Sequence, residues 1–116
     1  MSEPVYKICS GAAMQEARGR GRFEGSADDV RDGFIHLSAP RQVAGTLIKY
    51  FAGQRDLVLL AVDPDQLGAS LRWEPSRGGE LFPHLYGPLN LDHVISVEAL
   101  PLEEDGSHRL PAGVAP

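Results

Sequence analysis

The sequence predicts an α+β fold, and three patterns support this prediction. Residues 57–62 are apolar at every position, which is typical of a central strand covered on both faces. Apolar residues between Val43 and Phe51 recur at helical spacing. Residues 94–100 alternate apolar and polar side chains, as a strand with one wet face does. We therefore expect two main helices packed on a mixed or split sheet of five or six short strands.

The first third of the chain predicts a strand, a helix, a loop and a second strand. Residues 5–9 form a short β-type run, and Ser10 is a suitable N-cap for a helix over residues 11–18. Residues 20–31 are polar and rich in Gly and Asp, which favours a surface loop. A further strand is expected over residues 34–37, because an Asp-Gly turn precedes it.

A second helix and a hairpin are expected in the following part of the chain. The helix should begin at residues 38–40 and end at Gly53, because proline is tolerated in the first turn and glycine favours a C-terminal cap. Residues 70–74 and 80–86 predict two extended segments joined by a glycine-containing loop. Pro83 favours an edge or a bulge for the second segment, since proline has no ladder N–H.

The length of the chain, 116 residues, is enough for one hydrophobic core. We assign residues 1–102 to a single α+β domain. In its last strand, Ile95, Val97 and Ala99 are expected to share one face. Residues 103–116 are rich in charged, small and Pro residues, so we expect a flexible C-terminal tail.

The charge balance argues against nucleic acid as a partner. The chain is 42% hydrophobic and 23% charged, with a net charge of -5 at pH 7, whereas a nucleic-acid grip requires a basic face. Arg18, Arg20 and Arg22 form a local basic cluster, for which a solvated loop is favoured over a phosphate site.

Three features predict a cytoplasmic location. The single cysteine, Cys9, excludes an internal disulfide, and its place in a predicted strand favours a buried side chain over a nucleophile. The N-terminal segment lacks the basic and apolar regions of a secretory signal. The longest apolar run, residues 57–62, is far shorter than the ~20 residues of a transmembrane helix, so no membrane is expected as a partner.

Residues 32–38, DGFIHLS, carry a histidine in an apolar strand. Imidazole has the side-chain pKa nearest to neutrality, so apolar surroundings can adapt His36 for proton transfer, hydrogen bonding or metal binding. Ser38 opens a strand-to-helix junction, where polar groups and free backbone N–H donors commonly bind ligands. The structural alternative is a histidine at the edge of the core, hydrogen-bonded to a backbone carbonyl.

A denser group of polar and aromatic side chains surrounds the glycine-containing loop. Its members are Arg72, Trp73, Glu74, Arg77, Glu80, His84 and Tyr86. Arg can clamp a phosphate or a carboxylate, Trp and Tyr can stack on a planar ring, and Glu can stabilise a developing positive charge. The structural alternative is that Arg72–Glu74 and Arg77–Glu80 are surface ion pairs, which contribute little to stability.

The two histidine segments form one site only if their rings lie close together. Direct coupling between side chains fades beyond ~10 Å, so a larger separation of His36 and His84 would exclude a two-histidine site. A metal site would combine these histidines with Glu74 or Glu80, but the four residues have no recognised metal-ligand spacing. We therefore expect no metal.

Several motifs resemble those of one family. The segments YKIC, DGFIHLS followed by a proline and Gln42, LVLLAVDPDQL, LRWE and SRGGELFPHLYGPL resemble a bacterial and plant family, the domain of unknown function 952. The resemblance covers about residues 4–100, and DGFIHLS and FPHLYG are its specific parts. Membership of this family implies no established activity.

The chain also resembles, more distantly, the ADP-ribosyltransferase-like superfamily, especially the catalytic half of RNA 2'-phosphotransferases. A His-Leu-Ser strand at residues 36–38 and an apolar strand ending in Val-Asp at residues 59–63 stand in the same order in both. This resemblance implies a split mixed sheet, NAD bound in its cleft, and cleavage of the nicotinamide–ribose bond through an oxocarbenium-like transition state. The first strand here reads YKIC and lacks the histidine that many members carry there.

The leading hypothesis is a protein that binds a nucleotide-like ligand, with NAD as the candidate cofactor, and that transfers ADP-ribose or cleaves the glycosidic bond. His36 would hydrogen-bond the ligand, and Glu74 or Glu80 would stabilise the ribosyl cation. Arginines would bind phosphates and aromatic rings would stack, which makes the ligand-binding set Ser38, Arg72, Trp73, Arg77, His84 and Tyr86. One alternative is a ligand- or partner-binding module without catalysis, and another is a metal-dependent hydrolase that uses His and Glu ligands.

Overall fold

A computed structural model of the chain describes residues 3–114. These residues form three α-helices: α1 (Gly11–Arg20), α2 (Ala27–Asp32) and α3 (Val43–Tyr50). They also form eight strands: β1 (Val5–Ser10), β2 (Arg22–Phe23), β3 (Ile35–His36), β4 (Leu57–Val62), β5 (Leu71–Pro75), β6 (Leu81–Leu85), β7 (Leu89–Asn90) and β8 (Val94–Leu100). The predicted α+β class is confirmed.

One antiparallel sheet has the strand order β1-β4-β8 and carries hydrophobic core on both faces. Its central strand β4 occupies residues 57–62, as the uninterrupted apolar run predicts. Leu60, which is fully buried, belongs to a core cluster that includes residues of α1. Leu59 belongs to a second cluster that includes residues of α3. Each such buried side chain contributes roughly 1.5–3 kcal/mol, so β4 is the main anchor of both layers.

A second antiparallel sheet has the order β3-β6-β5 and separates core side chains from polar ones. Ile35 pairs with Leu85, and both side chains enter the first core cluster. The next pair along the ladder, His36 and His84, points to the opposite face because side chains alternate along a strand. The register of this sheet therefore places both histidines on its non-core face. A short ladder between β2 and β7 completes the strands.

The expected mixed or split sheet of five or six strands is wrong as a mixed sheet and in its number of strands. Every strand pair among residues 3–114 is antiparallel, and the eight strands form three sheets. The strands that the sequence did not indicate, β2 and β7, have two residues each, which is too short to show a period.

The expectation that Pro83 lies at an edge or a bulge is also wrong, because β6 is the central strand of its sheet. The Pro83 carbonyl accepts a hydrogen bond from the backbone N–H of Leu37, on the side of β3. In an antiparallel strand the N–H and C=O of one residue point to the same side, so the missing N–H also faces β3. The pair of Leu37 and Pro83 therefore keeps one ladder hydrogen bond and lacks the reciprocal bond that a Pro83 N–H would donate, and β3 ends at His36, one residue before this pair.

The helices differ from the prediction between residues 20 and 32. Helix α1 runs through Gly19 to Arg20, and Gly21 forms its left-handed C-cap with φ 81°. The segment expected to be a surface loop contains α2, a third helix that begins with a capping box between Ser26 and Asp29. Helix α3 begins only at Val43, after a 3-10 turn over Pro40–Gln42. No helix in residues 3–114 has the length and apolarity needed to cross a membrane.

The last strand has its predicted bounds but not its predicted buried face. Val62 pairs with Val94 and Ala61 pairs with Ser96, so the register shifts past Ile95 as in a β-bulge. Ile95 is consequently 61% exposed, while Val94 and Val97 pack against the first core cluster.

Residues beyond 102 make defined contacts with the domain. Leu102 forms an isolated β-bridge with His108, and Val114 is buried in the second core cluster. The backbone N–H of Gly53 donates to the carbonyl of Gly106. The flexibility expected of residues 103–116 stays a prediction, and the last two of them lie outside the described residues.

Candidate functional site

A cavity of about 280 Å³ opens where the two three-stranded sheets meet. The sheets join at one backbone bridge, in which the N–H of Tyr6 donates to the carbonyl of Ser38 and the N–H of Ser38 to that of Tyr6, each at 2.8 Å. The wall of the cavity includes Lys7, His36, Ser38, Thr46, Arg77 and His84. These side chains come from β1, β3, α3, β6 and the loop after β5, so only the tertiary fold assembles them.

The two histidines lie side by side in this cavity. Their ring centroids are 5.8 Å apart and their planes are nearly perpendicular. Phe34 stacks on His84 at 4.0 Å between centroids and contacts His36 at 4.6 Å. The separation is well inside the ~10 Å within which side chains couple directly. The two rings therefore belong to one cluster, and Phe34 contacts both of them.

Both ring nitrogens of His36 face carboxylates. Its Nδ1 is 2.6 Å from Oδ1 of Asp29, and its Nε2 is 2.9 Å from Oδ2 of Asp32. An ionised carboxylate only accepts hydrogen bonds, so both contacts are satisfied together when both ring nitrogens carry protons. In this arrangement His36 joins α2 to β3 and has no nitrogen left for a ligand.

Asp29 is the centre of a buried ion-pair network. Its side chain is 2% exposed, and its Oδ2 lies 2.8 Å from Nζ of Lys7, which is itself buried. The backbone N–H groups of Ser26 and His36 donate to the same carboxylate at 2.8 and 3.0 Å. Burial would raise the pKa of Asp29, but the hydrogen bonds from His36 and the charge of Lys7 outweigh it and hold that pKa well below its usual range. The carboxylate is therefore ionised at neutral pH.

His84 has one engaged and one open ring nitrogen. Its Nδ1 lies 2.9 Å from Oε1 of Glu74, which also accepts a hydrogen bond from the hydroxyl of Tyr86 at 2.7 Å. The Tyr86 and His84 contacts lower the pKa of Glu74, so the carboxylate accepts and Nδ1 donates. No described residue bonds to Nε2 of His84, and no buried side-chain nitrogen or oxygen among residues 3–114 lacks a partner. The Nε2 atom thus reaches the open space of the cavity.

Arg77 supplies a cation to the cavity wall. Its guanidinium lies over the rings of Phe82 and Tyr50, at 4.9 and 6.0 Å from their centroids. Its Nη1 is 3.4 Å from the hydroxyl of Thr46, which in turn lies 3.2 Å from the hydroxyl of Ser38. Among residues 3–114, no carboxylate pairs with Arg77. A guanidinium beside two hydroxyls is suited to an anionic group.

The sequence-predicted residues divide into two groups. His36, Ser38, Arg77 and His84 line the cavity, whereas Arg72, Trp73, Glu74, Glu80 and Tyr86 do not. Arg72 lies over the ring of Tyr86 at 5.0 Å, beside the Glu74–His84 pair. Neither Arg72–Glu74 nor Arg77–Glu80 forms an ion pair among the described residues.

Glu80 and Trp73 have surroundings of their own. Glu80 accepts a hydrogen bond at 2.7 Å from the side chain of Gln42, which is buried and also donates to the carbonyl of Leu81. Trp73 is 45% exposed and borders a second cavity of about 410 Å³ together with Arg41. Alternation along β5 explains the position of Trp73, because its neighbours Arg72 and Glu74 point to the histidine face.

Three residues that sequence reasoning missed carry the charge of the site: Lys7, Asp29 and Asp32. A signal existed for two of them. Lys7 is the one charged residue in the apolar run of β1, and Ser26-x-x-Asp29 has the spacing of a capping box. No local signal shows that Asp29 and Lys7 meet, since 22 positions separate them.

The residues present do not assemble a metal centre. Within residues 3–114, no group of three or more His, Cys, Asp and Glu side chains is arranged to hold a metal ion. Cys9 is buried in β1, and burial raises its pKa to about 11. A thiol in that state is a packing residue and a poor nucleophile.

The fold and the site together define a small α+β domain in which two three-stranded antiparallel sheets border a cavity with paired histidines. The chain belongs to the family described as "Protein of unknown function (DUF952)", whose model matches residues 8–97. The predicted family membership is thereby confirmed.

Two solved structures of one bacterial protein are similar to this chain. The crystal structure of protein CC0527 from Caulobacter crescentus is 50% identical, with a TM-score of 0.92, over 96% of this chain and 97% of that chain. The solution NMR structure of CC0527 is 52% identical, with a TM-score of 0.83, over 92% of each chain. Comparison with curated proteins gave no match.

Proposed function

We propose that this protein binds a nucleotide-like small molecule, with NAD as the candidate ligand, in the cavity between its two three-stranded sheets. The observation that carries the proposal is the pairing of an open imidazole nitrogen on His84 with the guanidinium of Arg77 in one cavity. The imidazole supplies a hydrogen bond to a ribose or base, and the guanidinium supplies a charge for a phosphate.

The size of the cavity favours enclosure of part of a dinucleotide. Ligand sites usually measure about 300–1,000 Å³, and this cavity, at about 280 Å³, is just below that range. One half of NAD would enter, and the rest would lie along the rim. Phe34 and Tyr86 lie beside the histidines but outside the lining of the cavity, where the part of the ligand at the rim could stack.

The resemblance to the ADP-ribosyltransferase-like superfamily supports NAD over other nucleotides. Its members bind NAD in the cleft of a split sheet, and here two antiparallel sheets joined by one bridge border the cavity. Lys7 projects into the cavity from β1, the strand in which many members carry a histidine. Within this proposal, ADP-ribosyl transfer or cleavage of the nicotinamide–ribose bond is the corresponding reaction.

A binding module without catalysis is the second candidate, and one observation favours it. The two glutamates expected to stabilise a ribosyl cation do not line the cavity. Glu74 is engaged by His84 and Tyr86, and Glu80 is engaged by Gln42. Ligand binding requires neither carboxylate, so it would persist without the reaction.

Thermal unfolding with NAD, ADP-ribose and nicotinamide tests the binding proposal. A ligand at 100 times its Kd stabilises the folded state by about 2.7 kcal/mol, which is measurable as a rise in Tm. The rise should be lost in Arg77→Ala and kept in Arg55→Ala, since Arg55 is exposed and outside the cavity. Absence of any rise at millimolar concentrations of all three compounds would contradict the proposal.

Analysis of the ligand after incubation separates the two candidate functions. Release of free nicotinamide from NAD would indicate glycosidic cleavage or transfer. Recovery of unchanged NAD, together with a rise in Tm, would establish a binding module.

A further inference from the structure

We propose that His84, and not His36, is the proton-transferring group of this cavity, and that Glu74 and Tyr86 position its ring with Nδ1 protonated and Nε2 open. The nature of the substrate rests on the function proposed above. The state of the imidazole rests on the geometry alone and is tested without a ligand.

The two histidine rings differ in the contacts of their nitrogens. His36 has a carboxylate at each nitrogen, 2.6 Å from Nδ1 and 2.9 Å from Nε2. His84 has a carboxylate at Nδ1 only, and its Nε2 reaches the cavity. A proton can therefore move between ligand and protein at Nε2 of His84 without breaking an existing ion pair.

The His84 ring is held in place by a hydrogen bond and by stacking. The same oxygen of Glu74 receives Nδ1 of His84 at 2.9 Å and the hydroxyl of Tyr86 at 2.7 Å. Phe34 stacks on the ring at 4.0 Å with an interplanar angle of 25°. A carboxylate at one nitrogen selects the tautomer and stabilises the imidazolium that forms when the other nitrogen gains a proton. Glu74 and Tyr86 are thus positioning residues, because they act through His84.

Titratable and charged groups surround the His84 ring. The groups that face His84 are Glu74 and Arg72 from β5, His36 from β3 and Tyr86 after β6. Across the cavity, Lys7 from β1 is neutralised by Asp29. Glu74 contacts the ring directly, and Arg72 is the register partner of His84 on β5. Changes in any of these groups should move the pH dependence of the site.

In the corresponding reaction, Nε2 of His84 removes the proton from water or from an acceptor hydroxyl. The oxygen forms a bond to the anomeric carbon of the ribose as the carbon–nitrogen bond to nicotinamide breaks. The electron pair of that bond leaves on the nicotinamide, and the proton passes from His84 to solvent. The balance is NAD plus an alcohol or water giving the ADP-ribosyl product, nicotinamide and one proton.

Nitrogen-15 NMR of the four imidazole rings tests the inference in the unliganded protein. In its neutral form, His84 should have the chemical shifts of a protonated Nδ1 and an unprotonated Nε2, and a proton gained by the ring should go to Nε2. His108 is an internal control with the opposite tautomer, because its Nε2 lies 2.8 Å from the carbonyl of Gln54. Replacement of each histidine by glutamine assigns the signals.

Variants separate positioning from simple packing. Glu74→Gln should let Nδ1 and Nε2 of His84 share the proton in the neutral ring, and Tyr86→Phe should do so to a smaller extent. Glu104→Gln, an exposed control, should leave the ring signals unchanged. If wild-type protein releases nicotinamide, Glu74→Gln should lower kcat at least tenfold with little change in KM.

Three results would overturn the inference: an unprotonated Nδ1 in neutral His84, an Nε2 that keeps its proton throughout, or an Nε2 proton exchange confined to His36. Failure of NAD to bind would overturn the proposed function and leave the tautomer result standing. The two proposals therefore fail in different experiments.

Discussion

The substitution Asp29→Asn should destabilise the protein by about 3–5 kcal/mol, the cost of breaking a buried ion pair by neutralising one partner. Lys7 would remain charged with its side chain only 6% exposed, and no other carboxylate lies within ion-pair distance of it among the described residues. Each oxygen of Asp29 also receives donors. Oδ2 accepts from Lys7 and from the Ser26 N–H, and Oδ1 accepts from the backbone N–H and the ring of His36. The amide nitrogen of asparagine would face one of these donor pairs in either orientation.

The assay is urea and thermal unfolding of the wild type and variants. A loss of about 4 kcal/mol corresponds to a fall in Tm on the order of 15 °C for a domain of this size. Asp28→Asn is the matched control, because the neighbouring Asp28 side chain is 71% exposed and, among the residues that the structure describes, bonds only to Arg31. It should cost less than about 1 kcal/mol. Equal losses in the two variants would refute the assignment of Asp29 as the centre of a buried network.

The same pair makes a prediction about pH with a definite sign. The folded-state pKa of Asp29 lies below the unfolded value of about 3.9. The stability contributed by its ionised form is therefore complete above that pH and is lost as the pH falls toward the folded-state value. The difference in unfolding free energy between wild type and Asp29→Asn should shrink as the pH falls below about 4. A difference that grows in acid would contradict this reasoning.

Three further predictions concern packing. Burial raises the pKa of Cys9 to about 11, so a disulfide reagent at pH 8 should label this thiol only in denaturant. Gln42→Ala should cost about 2–4 kcal/mol in unfolding free energy, because buried backbone groups lose their partners, whereas the exposed control Gln66→Ala should be nearly neutral. Val97→Ala should destabilise more than Ile95→Ala in the same assay, although isoleucine is larger, since the bulge leaves Ile95 in solvent. If Ile95→Ala destabilised the protein more than Val97→Ala, the simple alternation of buried and exposed residues along β8 would hold instead.

The regular elements were predictable where the local pattern is long and unmixed. Strand β4 and strand β8 have the expected bounds, and the amphipathic run of α3 forms a helix. The buried face of β8 was not predictable, because a one-residue register shift depends on the partner strand β4. Helix α2 was missed because six residues show little period and their composition resembles that of a loop.

The candidate site was predictable in part. The sequence marked His36 and His84 as unusual, and strand pairing brings them together. It also marked Glu74, but as a group facing the ligand. In the folded chain Glu74 instead supports His84 from outside the cavity.

The sequence by itself determined the family, the α+β class and the identity of the two histidine segments, because these depend on local composition and on contiguous motifs. Tertiary structure alone decided that His84 has an open ring nitrogen while His36 has none, and which carboxylates are buried. Those properties depend on contacts between residues far apart in the chain: Lys7 with Asp29, His36 with its register partner His84. Strand register and burial are properties of the assembled sheets, and no single segment encodes them.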